Sequence, residues 1–429
     1  MIRTHMIGEL NEGMDGQKVV LAGWVHEVRE TAKITFLILR DSTGLAQVIV
    51  KKGEVPDGLL KKASLPKESV VVIKGTIRAN KESKKGFEIV PSDIIDVNPL
   101  SRQVPFEVTG KVPADIDVRL NHRYIDLRRL ETSAIFKIES TVLQGFRSFF
   151  AGKGFTEIRP PTIVGEATEG GAEVFPVVYF EKEAFLAQSP QLYKQLALVG
   201  GMDKVFMIVP VFRAEKSNTT YHLTEVTQMD IEVAFEDADD AIRLLSECTK
   251  YIIGEVMKRN PEELRLLGSS LKVPDVKVVT FKEAVAALKK KGVTVKEGSD
   301  LTREDEEKLE EIYGDAVVVR DYPREVRAFY SMPKEDDKTL TDSYDLIYKG
   351  LEISSGAQRI HKPEMLIESL KMKGLNPDNF AFYVDAFRVG APPHAGWSIG
   401  LERFVMKLTG MKNIREVSLF PRDRKRLSP

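Results

Sequence analysis

Cysteine is nearly absent: Cys248 is the one thiol in 429 residues, which excludes a disulfide framework and any zinc site built on cysteine. Histidine is sparse as well. The six residues are scattered, with no His-Glu-x-x-His pattern and no close pair, so a histidine-built metal site is not expected. No apolar run reaches the length of about 18 residues that a membrane span needs. The opening MIRTHMIGEL lacks the apolar stretch of a secretory signal, so a cytoplasmic chain with no membrane partner is expected. Neither charge is in excess: 63 Lys+Arg against 64 Asp+Glu leave a net −1, which gives no global sign of a polyanion partner and none of DNA. What is present is 42% hydrophobic residues. That is ample for buried cores and excludes a disordered chain, and the length predicts two or three domains.

Residues 1–105 read as short β-branched runs separated by Gly, Asp, Ser and Lys: 19–28, 34–40, 46–50, 70–75 and 87–90. Such spacing predicts a small β-barrel, of which the OB-fold is the commonest nucleic-acid-binding form; an SH3-like barrel or small sandwich is the alternative. Residues 106–130, with Pro113, Gly110 and the charged RLNHRYIDLRR, read as a hinge, either a solvated connector or an RNA or domain contact. From 131 to 429 the pattern changes. Ile135, Ile138, Val142, Phe146 and Phe149 recur at helical spacing and end at Gly152 and Gly154, and strands then alternate with helices, among them 363–373 and 401–409. A charge-rich insertion lies at about 260–340, and its stretch 289–311 is expected to be solvated surface.

Several segments carry chemistry. Between two extended stretches in 208–235, a polar loop holds Arg213, Glu215, His222 and Glu225. An Arg and a Glu two apart on a strand share a face, where one can grip a phosphate and the other accept from an amine; a surface ion pair is the plainer reading. In DSYDLIYKGLEISSG (342–356), a two-residue turn at Lys349–Gly350 pairs Ile347 with Glu352 and Asp345 with Ser354. Asp345 and Glu352 then lie diagonally on one face, where hard oxygen ligands suit Mg²⁺, or simply form an exposed acidic hairpin. Ser355 faces away unless the strand bends at 354–356. GWSIGLERF (396–404) sets Gly400 at a strand end and Arg403 in the first helical turns, an anion site unlike a P-loop. TEGGA (168–172) reads as a glycine hinge. QSPQLYK (188–194) reads as a helix start with a Ser cap and Pro at the first position, able to hold a small carboxylate or zwitterion.

Taken together and in this order, these segments resemble the class II aminoacyl-tRNA synthetases, and most closely the archaeal-type aspartyl-tRNA synthetases, from about Gly23 to Pro429. GFTEIRPPTI with Pro161 is similar to motif 1, FRAE with His222 to motif 2, and GLER (400–403) to motif 3. The resemblance implies an α+β chain: an N-terminal OB-fold that reads the anticodon, and an antiparallel sheet flanked by helices as the catalytic domain. It also implies a homodimer with Pro161 at its interface. By resemblance, Arg213 and Arg403 are the catalytic cations. ATP is met by Arg213, Ala214, Glu215, Tyr221, His222, Leu223, Glu352, Gly400, Leu401, Glu402 and Arg403. Aspartate is met by Glu169, Ser189, Gln191, Leu192, Tyr193, Lys194, Arg213, Ser355 and Arg359, with Lys194 and Arg359 on its side-chain carboxylate. Asp345, Glu352 and Ser355 hold Mg²⁺. Cationic donors favour aspartate over asparagine, whose amide needs an acceptor. Asparaginyl-tRNA synthetases otherwise resemble the chain; lysyl-tRNA synthetases fit worse. A non-catalytic OB-fold RNA-binding relative would be free to lose Arg213, Glu215, Glu352 and Arg403, all present here.

In the barrel, Phe36 would stack on an anticodon base and Gln47 would hydrogen-bond it, as single-stranded RNA requires; from the residues alone Phe36 belongs to the core with Ile34 and Ile38. His26 stands where strictly tRNA-Asp-specific relatives tend to carry Trp, while Lys84 is more typical of the strict ones. The expected partners are thus L-aspartate, ATP, tRNA-Asp and tRNA-Asn. The chain departs from the family pattern at Tyr221, Val226 and Ser398, where Arg, Phe and Gly are common.

Overall fold

The computed structural model describes residues 2–429 except 56, 99, 167–172 and 216–218. The chain divides into two compact units, one running to Ser133 and the other from Ala134 to Ser428.

In the first unit, β1 (Lys18–Glu30), β2 (Ile34–Asp41), β3 (Gly44–Lys51), helix α1 (Asp57–Ala63), β4 (Val70–Ala79) and β5 (Phe87–Asn98) follow one another. The strands close a barrel in the order β1-β2-β3-β5-β4. Alternation explains the closure: Val19, Leu21 and Val25 of β1, Leu37 and Leu39 of β2, and Val48 and Val50 of β3 all turn inward, and β3 closes the ring on β5 where Val48 pairs with Ile89. Phe36 is half-buried on the outer face and outside this core. It pairs with Ile49, and Gln47 pairs with Ile38, so Phe36 and Gln47 are diagonal neighbours on one outward surface.

His26 is the extra residue of a bulge between Val25 and Glu27, a device that re-aims a side chain. Its Nδ1 lies 2.8 Å from Nη1 of the buried Arg40, whose guanidinium grips Glu68 bidentately at 2.9 and 2.7 Å. Because arginine only donates, Nδ1 is the acceptor of that bond, and burial, aided by Arg40, lowers the His26 pKa. Residues 106–130 are no free connector. They carry α2 (Ile116–Asn121) and α3 (Arg123–Asp126), and they are tied to the barrel where Arg128 meets Glu68 at 3.0 Å and lies over Trp24, and where Lys111 meets Glu27 at 2.6 Å. Lys84 is exposed between β4 and β5.

The second unit begins within α4 (Leu130–Gly152). Its strands are β6 (Thr156–Glu157), β7 (Ile163–Val164), β8 (Pro176–Tyr179) and β9 (Lys182–Leu186), then helix α5 (Gln191–Val199), then β10 (Lys204–Phe212) and β11 (Glu225–Ala234). After α6 (Ala238–Arg259) and α7 (Pro261–Leu267) come β12 (Lys277–Thr280), α8 (Phe281–Lys290), α9 (Arg303–Tyr313), β13 (Ala316–Arg320), β14 (Ser343–Tyr348) and β15 (Leu351–Gln358). The chain closes with α10 (Pro363–Met372), α11 (Ala381–Arg388), β16 (His394–Gly400) and α12 (Leu401–Thr409). An eight-stranded sheet runs β12-β13-β14-β15-β16-β11-β10-β6. Its centre is antiparallel, as expected, but both margins are parallel: β12 beside β13, and β6 beside β10.

One face of this sheet is apolar and packs on α4, α6 and α12. Met229, Ile231 and Val233 of β11 and Ala395, Trp397 and Ile399 of β16 meet Phe146, Phe150 and Cys248 there. Cys248 is fully buried, and burial pushes its thiol pKa well up. The opposite face carries the polar residues of the same strands. The stretch 289–311 is not solvated throughout: Asp305, Glu306 and Leu309 of α9 are buried, and Leu309 joins Val317, Val319 and Ile347 in a separate apolar cluster.

Candidate active site

The polar face of the sheet floors two adjoining cavities. The larger, about 460 Å³, is lined by Ser189, Gln191, Lys194, Arg213, Asp230 and Arg359 among others. The smaller, about 130 Å³, is lined by Arg213, Glu215, Tyr221, His222, Gly400 and Arg403, with Leu223, Val226, Glu352 and Glu402.

In the lining of the larger cavity two cations are buried. Lys194, on the first turn of α5, donates to Asp230 Oδ1 at 2.6 Å and lies 3.2 Å from Glu232 Oε2. Arg359 donates to Glu232 Oε1 at 2.8 Å and to the Gly396 carbonyl at 2.9 Å. Desolvation opposes the Glu232 carboxylate, yet Arg359 and Lys194 together hold its pKa below the usual value. Asp230 and Glu232 were not singled out from the sequence. The signal was there: Gln228, Asp230 and Glu232 alternate with Met229, Ile231 and Val233, so one face of an otherwise apolar strand is acidic. Ser398, the residue in place of the expected glycine, donates to Asp230 Oδ2 at 2.9 Å. Gly396 is the glycine that close approach demands, since a Cβ there would strike the Glu232 carboxylate and the Ile231 carbonyl.

The start of α5 differs from expectation. Pro190 occupies the N-cap position and Gln191 the first helical one; Ser189 Oγ still accepts from the Gln191 N–H at 3.0 Å. Gln191 reaches Gln195 at 2.9 Å. Leu192 does not face the cavity: helical spacing turns it into the apolar cluster of Phe329, Ile360 and Leu366. Tyr193 also lies outside both cavity linings.

The second hairpin forms on the expected turn. Lys349 and Gly350 both take the left-handed conformation (φ 46 and 64) of a two-residue type I′ turn, and Ile347 pairs with Glu352. Beyond that the register shifts. A bulge at Ile353, not a bend at 354–356, sets Asp345 opposite Ser355 instead of Ser354, which brings Asp345, Glu352 and Ser355 to one face. Asp345 is gripped bidentately by Arg327 at 2.9 and 2.5 Å. Desolvation first, and then the Asp345 charge, push the Glu352 carboxyl above its usual range. Among the described residues no three His, Cys, Asp or Glu side chains form a ready metal cage.

Arg213 and Glu215 follow the end of β10 and do not share a strand. They stand 3.9 Å apart, and His222 Nε2 is 3.8 Å from Glu215. His222 is anchored at 2.6 Å to Thr219, and burial with the Arg403 charge lowers its pKa. Arg403 donates to the Glu352 carbonyl at 3.1 Å. Gly400 has open space where a Cβ would stand, so the backbone borders the cavity. Glu402 accepts from the Thr227 N–H at 2.9 Å, and burial holds its carboxyl up at about 7. Leu401 points into the core, and Ala214 borders a neighbouring cavity with Arg422 and Arg426, so either can serve a ligand only through its backbone. Pro161 is exposed. Glu169 and the TEGGA stretch lie outside the described residues.

Residues 115–424 match the family described as "tRNA synthetases class II (D, K and N)", and residues 19–97 match the "OB-fold nucleic acid binding domain". A Methanocaldococcus jannaschii protein named "Aspartate--tRNA(Asp/Asn) ligase" is 45% identical, covering 100% of this chain and 98% of its own length. The Methanothermobacter thermautotrophicus protein of the same name is also 45% identical over the same shares. Among solved structures, asparaginyl-tRNA synthetase from Pyrococcus horikoshii, complexed with asparaginyl-adenylate, superposes with TM-score 0.94 at 32% identity over 100% of both chains. Aspartyl tRNA synthetase from Entamoeba histolytica superposes with TM-score 0.89 at 33% identity, over 100% of this chain and 93% of that one.

Proposed function

Because the chain belongs to the class II tRNA synthetases of the D, K and N group, we propose that it is an aspartate–tRNA ligase that charges both tRNA-Asp and tRNA-Asn. The observation that carries the amino-acid choice is the pair of buried cations, Lys194 and Arg359, that line the larger cavity and converge on Glu232. A side-chain carboxylate entering there meets charged donors, whereas an asparagine amide would set its NH₂ against them. The archaeal relatives' name supports both tRNAs.

In the first step an α-carboxylate oxygen of aspartate attacks the α-phosphorus of ATP in line, and pyrophosphate leaves as aspartyl-adenylate forms. Arg213, shared by both cavities, holds the α-phosphate and the aspartate carboxylate, and Arg403 faces the developing charge from the far wall. Such fixed donors act most strongly where charge grows in the transition state. Glu215 accepts from the adenine amine and His222 meets the terminal phosphate. Ser189 and Gln191 line the amino-acid end. Asp345, Glu352 and Ser355 fit a Mg²⁺ ion: the bulge gathers these hard oxygen donors on one face. Having few protein ligands, the ion would take phosphate oxygens and water for the rest, and when bound it supplies charge neutralisation to the triphosphate. In the second step the terminal ribose hydroxyl of the tRNA attacks the mixed anhydride and AMP leaves. On the barrel, Phe36 and Gln47 offer a stacking and a hydrogen-bonding group to the anticodon, with His26 and Lys84 at its margin. A homodimer formed around Pro161 completes the reading.

Aspartate-dependent ATP–pyrophosphate exchange, followed by charging of tRNA-Asp and tRNA-Asn transcripts, tests this. Exchange with aspartate but not asparagine, and aspartylation of both tRNAs, is expected. Exchange with asparagine alone would overturn the amino-acid assignment, and an uncharged tRNA-Asn would confine the enzyme to tRNA-Asp.

A further inference from the structure

The wall of the smaller cavity is short of positive charge for a triphosphate. Arg213 and Arg403 line it, but so do Glu215, Glu352 and Glu402. A third guanidinium stands one aromatic ring away. Arg303, the first residue of α9 in the charged insertion, lies over the ring of Tyr221 with its guanidinium carbon 4.6 Å from the centroid, and Tyr221 itself lines the cavity. The arginine is held at the edge: it donates to the Gly350 carbonyl at the hairpin turn and pairs with Glu307 at 3.0 Å and Glu306 at 3.4 Å. Its Nε–H is buried and meets no acceptor, a donor left over in a group otherwise fully engaged. The same helix reaches the site a second way, since Glu306 accepts from the Glu352 N–H at 2.9 Å. The insertion thus touches both the aromatic wall and the backbone of the acidic hairpin.

We propose that Arg303, stacked on Tyr221, is a further ATP-binding residue, contributing positive charge toward the β- and γ-phosphates. This rests on the synthetase reading of the cavity and adds a residue from outside the three motifs. With its N–H groups turned to the Gly350 carbonyl, Glu306 and Glu307, the stacked guanidinium acts on ATP at the other side of the ring through its charge rather than by a direct hydrogen bond. AMP and the adenylate lack the outer phosphates, so the contribution belongs to ATP and is lost when pyrophosphate leaves.

Pyrophosphate exchange by Arg303→Gln, which keeps a donor for the Gly350 carbonyl, is the test. The ATP KM is expected to rise about ten-fold, while the aspartate KM and inhibition by AMP stay within about two-fold. Tyr221→Arg added to Arg303→Gln brings a guanidinium directly to the cavity and is expected to recover most of that loss. An unchanged ATP KM, an equal loss for ATP and AMP, or no recovery in the double variant would each overturn the assignment. Should Arg303→Gln not fold, Arg303→Lys carries the test. Its ammonium lacks the flat face, so the ATP KM should rise about three-fold, and no rise overturns the proposal. Wild-type exchange is measured first. Its absence would overturn the synthetase reading itself, whereas normal wild-type exchange with an indifferent variant overturns Arg303 alone.

Discussion

The two cavities hold their charges in opposite ways. In the larger, Lys194 and Arg359 are 1% and 4% exposed and bonded to Asp230 and Glu232 at 2.6 to 3.3 Å. In the smaller, the Arg213 and Arg403 side chains are 43% and 28% exposed, and their nearest carboxylates stand 3.9 and 3.8 Å away. The first set is preorganised and internally neutral, so it selects a small ligand by shape and donor pattern. The second is loose and completes itself on its ligand. The same substitution chemistry should therefore cost stability in one place and rate in the other.

The largest expected effect is on the buried set. Glu232→Gln leaves Lys194 and Arg359 short of a partner and should destabilise the catalytic unit by about 3–5 kcal/mol, read from urea unfolding. A change below about 1 kcal/mol would mean the set is not internally balanced. Arg213→Lys should do the reverse, leaving unfolding within about 0.5 kcal/mol while exchange falls by roughly 10²–10³. A large loss of stability there would erase the contrast.

Glu402 crosses the divide, being buried yet at the open cavity. Its carboxyl is held at about 7 in place of 4.5, so between those values the folded chain keeps a proton that the unfolded chain has lost. Stability should fall as pH rises through that window, by at most about 3 kcal/mol. Glu402→Gln should reduce the slope and leave the share of Glu352, which is raised in the same direction, and an unaltered slope would assign the pH dependence elsewhere. Smallest is Ser398→Gly. Losing the bond to Asp230 should cost about 1 kcal/mol of stability and raise the aspartate KM a few-fold with kcat unchanged; a fall in kcat would move Ser398 into the chemistry.

What could be read from the sequence follows the same divide. Turn residues and motif spacing are local, so the Lys349–Gly350 turn, helix 401–409 and the barrel strands were legible, and family motifs brought Arg213, Glu215, His222 and Arg403 to one cavity. Features that add a residue to a pattern or join distant segments were not. The bulge at Ile353 is invisible to strict alternation, and it decides which serine faces Asp345. Asp230 and Glu232 lay hidden in a strand read only as extended. Arg303 reaches Tyr221 across 82 residues of chain, and composition alone labelled its segment solvated. Phe36 shows the converse: periodicity put it with Ile34 and Ile38 correctly, but that shared face is the outer one.

The lone thiol gives the molecule a built-in clock. Cys248 is enclosed by the core of the catalytic unit, and the barrel has no cysteine. An alkylating reagent added to the unmodified chain can register only those moments when that core opens, while every fluctuation of the barrel goes unrecorded. The labelling rate therefore times one unit separately from its neighbour in the same chain, with no engineered probe.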